Sequence, residues 1–172
     1  IRQLTATECG AACLAMVLSY FGKRVRVSEI RDAWGVGRDG LSALDLLNIG
    51  RRYGLRGRGV RLEVENLEYL EAPAILHWGF NHFVVFAGLQ RGGVIILDPA
   101  KGRRVVPLEQ FSRSFTGVTV LFHPAADFSK SAPLPAGSLL RYGRQMLEQG
   151  QRLSHILVTS LLMQGFALGI PA

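Results

Sequence analysis

Residues 82–98 read HFVVFAGLQRGGVIILD, and this stretch decides the fold. Two runs rich in β-branched and aromatic residues, 82–89 and 93–98, are typical of strands, and the glycine-containing turn between them is typical of a hairpin. Because the strands of a hairpin are antiparallel, the start of one lies beside the end of the other. The sequence therefore predicts an antiparallel sheet in which His82 and Asp98 lie at the same end of two neighbouring strands.

Helical signals precede this hairpin, and more strand signals flank it. Apolar residues recur at helical spacing in the predicted helices, which are 6–21, 28–34, a segment within 40–54 and a single turn at 66–70. The predicted strands are 76–79, 82–89, 93–98, 103–106 and 117–122. Helices followed by an antiparallel sheet are typical of an α+β domain, in which the helices pack on the sheet.

The composition is that of a folded domain joined to an apolar segment. The chain has 172 residues, of which 48% are hydrophobic and 19% are charged, and its mean hydropathy is +0.21. These values exclude a disordered chain, a collagen and a disulfide scaffold. The mean hydropathy is high for a wholly soluble domain, which indicates that apolar residues are concentrated in one part of the chain.

Basic residues exceed acidic ones, twenty against thirteen, and the net charge is +7. This excess indicates an acidic partner, either a nucleic acid or an anionic membrane. Five arginines lie across a turn and a strand, at positions 51, 52, 56, 58 and 61. No DNA- or RNA-binding motif accompanies them and few aromatic residues alternate with them. We therefore interpret them as a solvated basic face and expect no nucleic-acid partner.

Two changes of composition divide the chain after the α+β region. The predicted domain covers residues 1–128. Residues 129–152 begin with a segment rich in Ser, Pro and Gly, which is typical of a linker, and continue as an amphipathic, arginine-bearing helix. Residues 153–172 are nearly uncharged and about as long as a segment that crosses a bilayer, so we interpret them as the start of a transmembrane helix.

Flanking charges orient this apolar segment. Arg141, Arg144 and Arg152 precede it, and the positive-inside rule then places its N-terminal side in the cytoplasm. The alternative is an amphipathic core helix, because His155 and Gln164 are unfavourable in lipid. An apolar run that follows a linker has no core of its own to join, which favours the membrane interpretation.

The two cysteines, Cys9 and Cys13, lie four residues apart in the first predicted helix. A secreted scaffold carries more cysteines, so free thiols in a reducing cytosol are predicted. Thr5 to Glu8 fits a capping box with Leu4 as a hydrophobic staple, which puts Cys9 in the first turns of the helix. There the helix dipole and free N–H groups stabilise a thiolate. Cys13, one turn deeper among apolar residues, is interpreted as a buried packing residue.

A thiol nucleophile also needs a base, a group that orients the base, and donors for the oxyanion. His82 is the candidate base, and Asp98 is a candidate partner that holds the imidazole in one tautomer. The side-chain amide of Gln3, six residues before Cys9, is a candidate oxyanion donor. Ordinary interpretations stay open: Asp98 precedes a proline and can simply begin a turn, and Gln3 can be an exposed polar residue.

Motifs for metal and nucleotide binding are missing from the sequence. The four histidines have no zinc-like spacing, and neither HExxH nor a pair of CxxC motifs occurs. The sequence also lacks GxxxxGK[ST], so this stretch is not expected to bind ATP through a P-loop.

The patterns QxxxxECGxxCLAM at 3–16, HFVV at 82–85 and DP at 98–99 together resemble a known family. They are similar, in the same order, to the bacteriocin-processing cysteine peptidases, which lie at the N-terminus of ABC exporters and cut leader peptides after a double-glycine motif. GRDG at 37–40 and FNH at 80–82 resemble in particular the exporters of modified peptides such as lantibiotics and nitrile-hydratase-like-leader products. The resemblance covers about residues 1–128.

The resemblance implies a papain-like fold and a set of roles. Cys9 would be the nucleophile, His82 the general base and acid, Asp98 the residue that orients His82, and Gln3 part of the oxyanion hole. It implies amide hydrolysis through a thioester, without a cofactor for that step. ATP would bind only to a separate nucleotide-binding domain.

The resemblance also implies partners and a location. The substrate would be a precursor peptide with a helical leader, and the chain would belong to the core of an ABC exporter that works as a homodimer. That assembly would lie in the bacterial inner membrane, with the peptidase on the cytoplasmic side. Val25–Trp34 and Leu41–Leu47 are candidate walls for a leader groove, while Trp78 and Phe80 either line the cleft or belong to the core.

One alternative function uses the same fold. A non-catalytic docking module would bind the leader and recruit the precursor to the exporter without cutting it. The presence of Cys9, His82 and Asp98 favours the enzyme over this module.

Overall fold

Three helices come first in the computed structural model, which describes residues 1–34 and 40–131, and the strands follow with one more helix before the last of them. The helices are α1 (Cys9–Tyr20), α2 (Val27–Trp34), α3 (Ala43–Arg52) and α4 (Leu108–Ser114). Short 3-10 turns occur at Ala6–Glu8 and Val64–Tyr69. The strands are β1 (Leu55–Arg61), β2 (Ala74–Trp78), β3 (His82–Gln90), β4 (Gly93–Asp98), β5 (Gly102–Val106) and β6 (Phe115–Pro124). The predicted α+β class is confirmed.

The six strands form one antiparallel sheet in the order β1-β6-β2-β3-β4-β5. One face of the sheet packs on α1, α2 and α3, and the other packs on α4 and the 3-10 turn Val64–Tyr69. In β3, Phe83 and Val85 face the first layer, whereas Val84 and Phe86 face the second. Because this strand is buried on both faces, its sequence is a continuous apolar run rather than an alternating one.

Helix α1 lies at the centre of the larger core. Leu14, Val17 and Leu18, the residues whose spacing predicts the helix, are fully buried. The chain leaves the helix through Gly22, whose φ of +92° lies in the left-handed region where a Cβ is unfavourable. The predicted start at residue 6 is a 3-10 turn, and the α-helix itself begins at Cys9. The helix therefore starts at the candidate nucleophile.

The prediction of a hydrophobic staple before α1 is wrong. Leu4 is 88% exposed, so it makes no apolar contact that fixes the entry of the chain into the helix. The Glu8 carboxylate instead accepts hydrogen bonds from the backbone N–H groups of Leu4 and Thr5, at 2.8 and 3.2 Å. The entry into α1 is thus held by polar contacts.

Apolar spacing predicts neither strand β1 nor helix α4, and only the interpretation of the five arginines placed a strand in the β1 region. In β1 the position facing α3 is occupied by Gly57, because a Cβ there would lie 2.7 Å from both Leu47 and Phe122. The close approach of α3 therefore removes the apolar alternation that marks a strand. Helix α4 begins after Pro107 and contributes only Phe111 to the buried core, which is too few apolar residues to show a helical period.

The compact unit runs from Ile1 to Ser131. Its last residues return to the helices: the Ala125 N–H donates to the Gly54 carbonyl at 2.9 Å, and the Ser131 N–H donates to the Gly22 carbonyl at 3.0 Å. The ring of Phe128 packs edge-on against Phe21. The folded unit therefore ends three residues beyond the predicted boundary at residue 128.

Several predictions fall outside the described residues. They concern the linker and amphipathic helix from residue 132 to 152, the apolar segment 153–172, and residues 37–39 of the GRDG motif. Within 1–34 and 40–131, no helix combines the length and the apolar character needed to span a membrane.

Candidate active site

The start of α1, the start of β3 and the end of β4 lie close together, and each carries a candidate catalytic residue. Cys9 is the first residue of α1, His82 is the first residue of β3, and Asp98 is the last residue of β4. The pairing of β3 with β4 extends to Val85 and Leu97, so Asp98 lies one residue beyond the last pair. The hairpin thus brings His82 and Asp98 together, as its antiparallel geometry predicts.

The imidazole of His82 is held by the buried carboxylate of Asp98. Nε2 of His82 lies 3.0 Å from Oδ1 of Asp98, and the same oxygen accepts hydrogen bonds from the backbone N–H groups of Ala100 and Lys101. Burial alone would raise the pKa of Asp98, but the hydrogen bonds from His82 and these N–H groups hold it below its usual value. Because the ionised carboxylate only accepts, Nε2 must carry a proton, which leaves Nδ1 for the thiol.

The thiol of Cys9 faces the imidazole from the start of α1. Its side chain is 5% exposed. Burial raises the pKa of this thiol, but hydrogen bonding to His82 and to the Phe83 and Gly10 N–H groups, together with the charge of His82, brings it below its ordinary value. The hydrogen bond with Cys9 and the contact with Asp98 outweigh burial and raise the pKa of His82. Both shifts favour a thiolate–imidazolium pair.

Gln3 reaches the site through its backbone. Its N–H donates to the carbonyl of Pro99 at 3.2 Å, which places residue 3 beside the turn that follows Asp98. The side-chain oxygen of Gln3 is buried and, within the described ranges, accepts no hydrogen bond. Gln3 therefore lies next to the Asp98 turn. Among the described residues, no group donates a hydrogen bond to its side-chain oxygen.

A cleft of about 530 Å³ opens beside Cys9. Its walls are formed by Ala6, Thr7, Cys9, Gly40, Leu41, Ser42, Ala43, His77, Phe80, Asn81, Phe83 and Val118. Most of these residues are small or apolar, and the nucleophile lies on the wall rather than behind it. The cleft can thus admit an extended chain of small residues to the sulfur atom.

The predicted lining residues divide between the cleft and the core. Of the two candidate walls, Leu41–Leu47 contributes to the cleft, whereas Ile30 in the segment Val25–Trp34 is buried in the core beneath α1. Phe80 lines the cleft, is 84% exposed and has a φ of +63°. Trp78 packs instead against Phe111, with 5.2 Å between the ring centroids.

His77 lines the cleft and was not predicted as a site residue. Nδ1 of His77 lies 3.0 Å from Oγ1 of Thr116, and its ring packs against Phe83. Burial lowers the pKa of His77, and a hydrogen bond to the Phe80 carbonyl opposes this only in part. His77 is therefore a neutral wall residue. Its partner on β6 is 39 positions away in sequence, so no local pattern indicates the contact.

The residue before the nucleophile was predicted only as a helix cap. Glu8 is 1% exposed, and its Oε1 accepts a hydrogen bond from Nη1 of Arg31 at 2.8 Å. Hydrogen bonds from Leu4, Arg31 and Thr5 outweigh burial and lower the pKa of Glu8. It is thus a buried, charged carboxylate next to Cys9, paired with α2.

Cys13 lies one turn below Cys9 and is fully buried, as predicted. Burial and the nearby charges of Cys9 and Asp98 raise its pKa well above the ordinary value, so it stays a thiol. Both cysteines are free. Within the described residues, no three His, Cys, Asp or Glu side chains are grouped closely enough to hold a metal ion.

Known proteins are similar to this chain in sequence and in fold. The chain is 32% identical over 171 residues to the colicin V secretion/processing ATP-binding protein CvaB of Escherichia coli, a match that covers 99% of this chain and 24% of that protein. The chain therefore spans about a quarter of the length of this curated relative.

Among solved structures, a double glycine motif protease from an AMS/PCAT transporter, in complex with the leader peptide, is 48% identical with a TM-score of 0.70; the match covers 73% of this chain and 90% of that one. The peptidase domain of Streptococcus ComA is 24% identical with a TM-score of 0.68, covers 72% of this chain and 96% of that one, and shows the papain-like fold alone. The model of the Peptidase C39 family matches residues 1–127, which include Cys9, His82 and Asp98. The chain belongs to the Peptidase C39 family.

Proposed function

We propose that this chain is a cysteine endopeptidase that removes the leader of a ribosomally made precursor peptide after a double-glycine motif. The observation that carries the proposal is the meeting of the Cys9 thiol, the His82 imidazole and the buried Asp98 carboxylate beside an open cleft. A docking module has no need of a thiol with a lowered pKa, whereas a nucleophile requires one.

The first half of the reaction forms a thioester. The Cys9 thiolate adds to the carbonyl carbon of the residue that ends the leader, which gives a tetrahedral oxyanion. The C–N bond then breaks, and the departing amine takes a proton from the His82 imidazolium. Asp98 holds His82 through Nε2, so Nδ1 is the nitrogen that delivers this proton.

The second half restores the enzyme. Neutral His82 takes a proton from water while the water oxygen adds to the thioester carbonyl. The C–S bond breaks, which releases the leader as a carboxylic acid that loses its proton to solvent and leaves the thiolate–imidazolium pair again. No cofactor takes part in either half, and ATP belongs to a separate nucleotide-binding domain.

Two donors serve the oxyanion in this proposal. The first donor is the backbone N–H of Cys9, at the first position of α1. The side-chain amide of Gln3 is the second donor, from the segment that crosses the Asp98 turn.

The proposed substrate follows from the cleft and from the protease that was solved with a leader peptide. Small residues at the cut site let the carbonyl carbon approach the sulfur of Cys9, a residue that is only 5% exposed. The rest of the leader is proposed to be helical and to lay an apolar face along the cleft walls near Leu41 and Ala43.

The proposed setting is an ABC exporter of bacteriocin or lantibiotic-type peptides. The exporter would be a homodimer in the bacterial inner membrane, with the peptidase on the cytoplasmic side. The secretion and processing name of CvaB and its greater length support this setting. The +7 net charge would attract an acidic leader or the anionic membrane surface.

The test uses a synthetic precursor with a helical leader that ends in Gly-Gly. Mass spectrometry of the products should show one cut directly after the second glycine with the wild-type chain and none with Cys9→Ala, which should still bind the precursor. Cys13→Ala is the matched control and should cut normally. Binding by the wild-type chain without any cut would identify a docking module instead, and normal cutting by Cys9→Ala would overturn the proposal.

A further inference from the structure

We propose that Glu8 is a positioning residue for this peptidase: its buried carboxylate ties the segment that carries Gln3 to the helix that carries Cys9. This inference rests on the proposed function for its effect on catalysis. Three hydrogen bonds to the Glu8 carboxylate support the inference. Two come from backbone N–H groups just after Gln3, and one comes from Arg31 of α2.

The carboxylate lies between the two residues that it relates. Glu8 directly precedes Cys9, and the N–H groups that it binds belong to Leu4 and Thr5, which directly follow Gln3. One oxygen, Oε2, accepts both, at 2.8 and 3.2 Å. A displacement of this carboxylate would therefore move the proposed oxyanion donor relative to the nucleophile.

Within the described residues, backbone hydrogen bonds also hold both ends of the segment, and at its end the Glu8 N–H donates to the Thr5 carbonyl at 3.2 Å. At its start, the Gln3 N–H donates to the Pro99 carbonyl. Leu4 is 88% exposed and Thr5 is exposed, so apolar packing does not hold them. The side-chain oxygen of Gln3 accepts no hydrogen bond from the residues that the structure describes. The position of the Gln3 amide thus follows from the backbone, which is held at Pro99 and at Glu8.

The ion pair with Arg31 of α2 stabilises the charged form of the Glu8 carboxylate. A carboxylate that is only 1% exposed is costly to bury without a partner, and Arg31 supplies one at 2.8 Å. Arg31 also bonds Asp32, which orients its guanidinium. With both oxygens engaged, the Glu8 carboxylate has a single orientation, and the two N–H groups of the Gln3 segment must meet it there.

A glutamine at position 8 would have the same size but one acceptor oxygen instead of two. It would leave either Arg31 or the Leu4 and Thr5 N–H groups facing an NH₂ group, which is another donor. The substitution Glu8→Gln therefore loosens the Gln3 segment or the contact with α2 without removing volume from the core.

Two reactions of the same thiol separate positioning from folding. Amide hydrolysis passes through an oxyanion, whereas alkylation of Cys9 by iodoacetamide displaces iodide and forms none. We expect Glu8→Gln to lower kcat for cleavage of the Gly-Gly precursor about 10- to 100-fold, a large part of what one oxyanion donor contributes. The rate of alkylation and its pH midpoint should stay at the wild-type values. Gln3→Ala should show the same separation.

The double variant tests whether the two residues act together. If Glu8 acts through Gln3, adding Glu8→Gln to Gln3→Ala should lower kcat by less than about threefold, because the effects of coupled residues are not additive. Independent, multiplicative losses would overturn the inference. Glu29→Gln is the matched control, since Glu29 is an exposed carboxylate on α2 that pairs with Arg26 at 3.9 Å, and it should leave kcat unchanged.

A second variant covers the case in which Glu8→Gln does not fold. Leu4→Pro removes the N–H that donates to Glu8 without touching the core, and Leu4→Ala keeps that N–H. The proline variant should lose at least about tenfold more kcat than the alanine variant, in line with the loss of one oxyanion donor. Equal kcat in the two variants would overturn the inference.

Amide hydrogen exchange provides a readout that needs no substrate. The Leu4 and Thr5 amides should be protected in the wild-type chain and should exchange at least about tenfold faster in Glu8→Gln, because each loses its acceptor. Unchanged exchange would overturn the inference even if the wild-type chain cut no precursor. Conversely, faster exchange with no cleavage by the wild-type chain would sink only the proposed function.

Discussion

Nε2 of His82 lies 3.0 Å from Oδ1 of Asp98, across the hairpin that joins β3 to β4. That carboxylate is 3% exposed and also accepts two backbone N–H groups, from Ala100 and Lys101. It is therefore fixed by its own turn before it meets the imidazole. The base of the proposed reaction is thus oriented by the β3–β4 hairpin, which lies between β2 and β5 in the sheet.

The substitution Asp98→Asn is expected to lower kcat at least about 10-fold, because the imidazole loses the partner that holds its tautomer and its charge. Asp98 contributes to the raised pKa of His82. Loss of its charge lowers that pKa, so the alkaline limb of the pH–rate profile should move to lower pH. Precursor cleavage measured across pH tests this, and an unmoved alkaline limb would contradict it.

Cys9 should react with iodoacetamide at a lower pH than a free thiol does, because contact with His82 keeps its pKa below the ordinary value. Cys13 is fully buried and should stay unmodified in the folded chain. The substitution His82→Ala should move the alkylation midpoint to higher pH, and Cys13→Ala should not. Mass spectrometry after timed labelling gives both results. Equal labelling of the two thiols would refute the placement of Cys9.

Arg104 is expected to lower the pKa of His82 through its contact with Asp98. Its Nη1 lies 3.6 Å from Oδ2 of Asp98, the oxygen not bonded to His82. This positive charge opposes the protonation of His82, so Arg104→Gln should shift the alkaline limb to higher pH. The control is Arg91→Gln, which removes the same charge from the exposed hairpin turn and should leave the limb in place. A downward shift with Arg104→Gln would contradict this sign.

The parts of the site that the sequence predicted are those that depend on local geometry. An antiparallel hairpin of 17 residues, 82–98, places His82 and Asp98 at the same end of two neighbouring strands. The capping pattern at Thr5 to Glu8 likewise predicts that Cys9 lies in the first turns of a helix, although that helix was predicted from residue 6 and α1 begins at Cys9. These two features suffice to place a thiol at a helix N-terminus and an acid–base pair at a strand end.

The parts that sequence reasoning missed depend on contacts between distant segments. Glu8 meets Arg31 across 23 positions, and His77 meets Thr116 across 39. Neither pair leaves a periodic pattern, because each residue alone is an ordinary polar side chain. The wrong staple at Leu4 has a related cause: the capping pattern was present, but the carboxylate of the cap, rather than an apolar contact, holds the segment.

His77 should make the folded chain less stable in mild acid. Burial lowers the pKa of its imidazole below the unfolded value of about 6.5. As the pH falls through 6.5, the unfolded chain takes up this proton before the folded chain does, so the free energy of unfolding decreases. His77→Gln removes this titration and should flatten the decrease between about pH 7 and 5, as measured by urea unfolding. His82, whose pKa is raised, changes stability in the opposite direction over this range and is present in both chains. A steeper decrease in His77→Gln than in the wild-type chain would contradict the lowered pKa of His77.

Two glycines of β1 should respond oppositely to alanine, because α3 approaches them at different distances. At Gly57 a new Cβ would lie 2.7 Å from Leu47 and Phe122, so Gly57→Ala should lower the free energy of unfolding by about 1–3 kcal/mol through overpacking. At Gly59 the nearest atom, on Leu47, is 3.8 Å away, which is an ordinary contact. Gly59→Ala should leave stability unchanged or raise it by about 0.4–1 kcal/mol, since alanine restricts the unfolded chain. Urea unfolding of both variants measures this difference. Equal stabilities would mean that α3 does not press on β1, and the lack of apolar alternation in this strand would then need another cause.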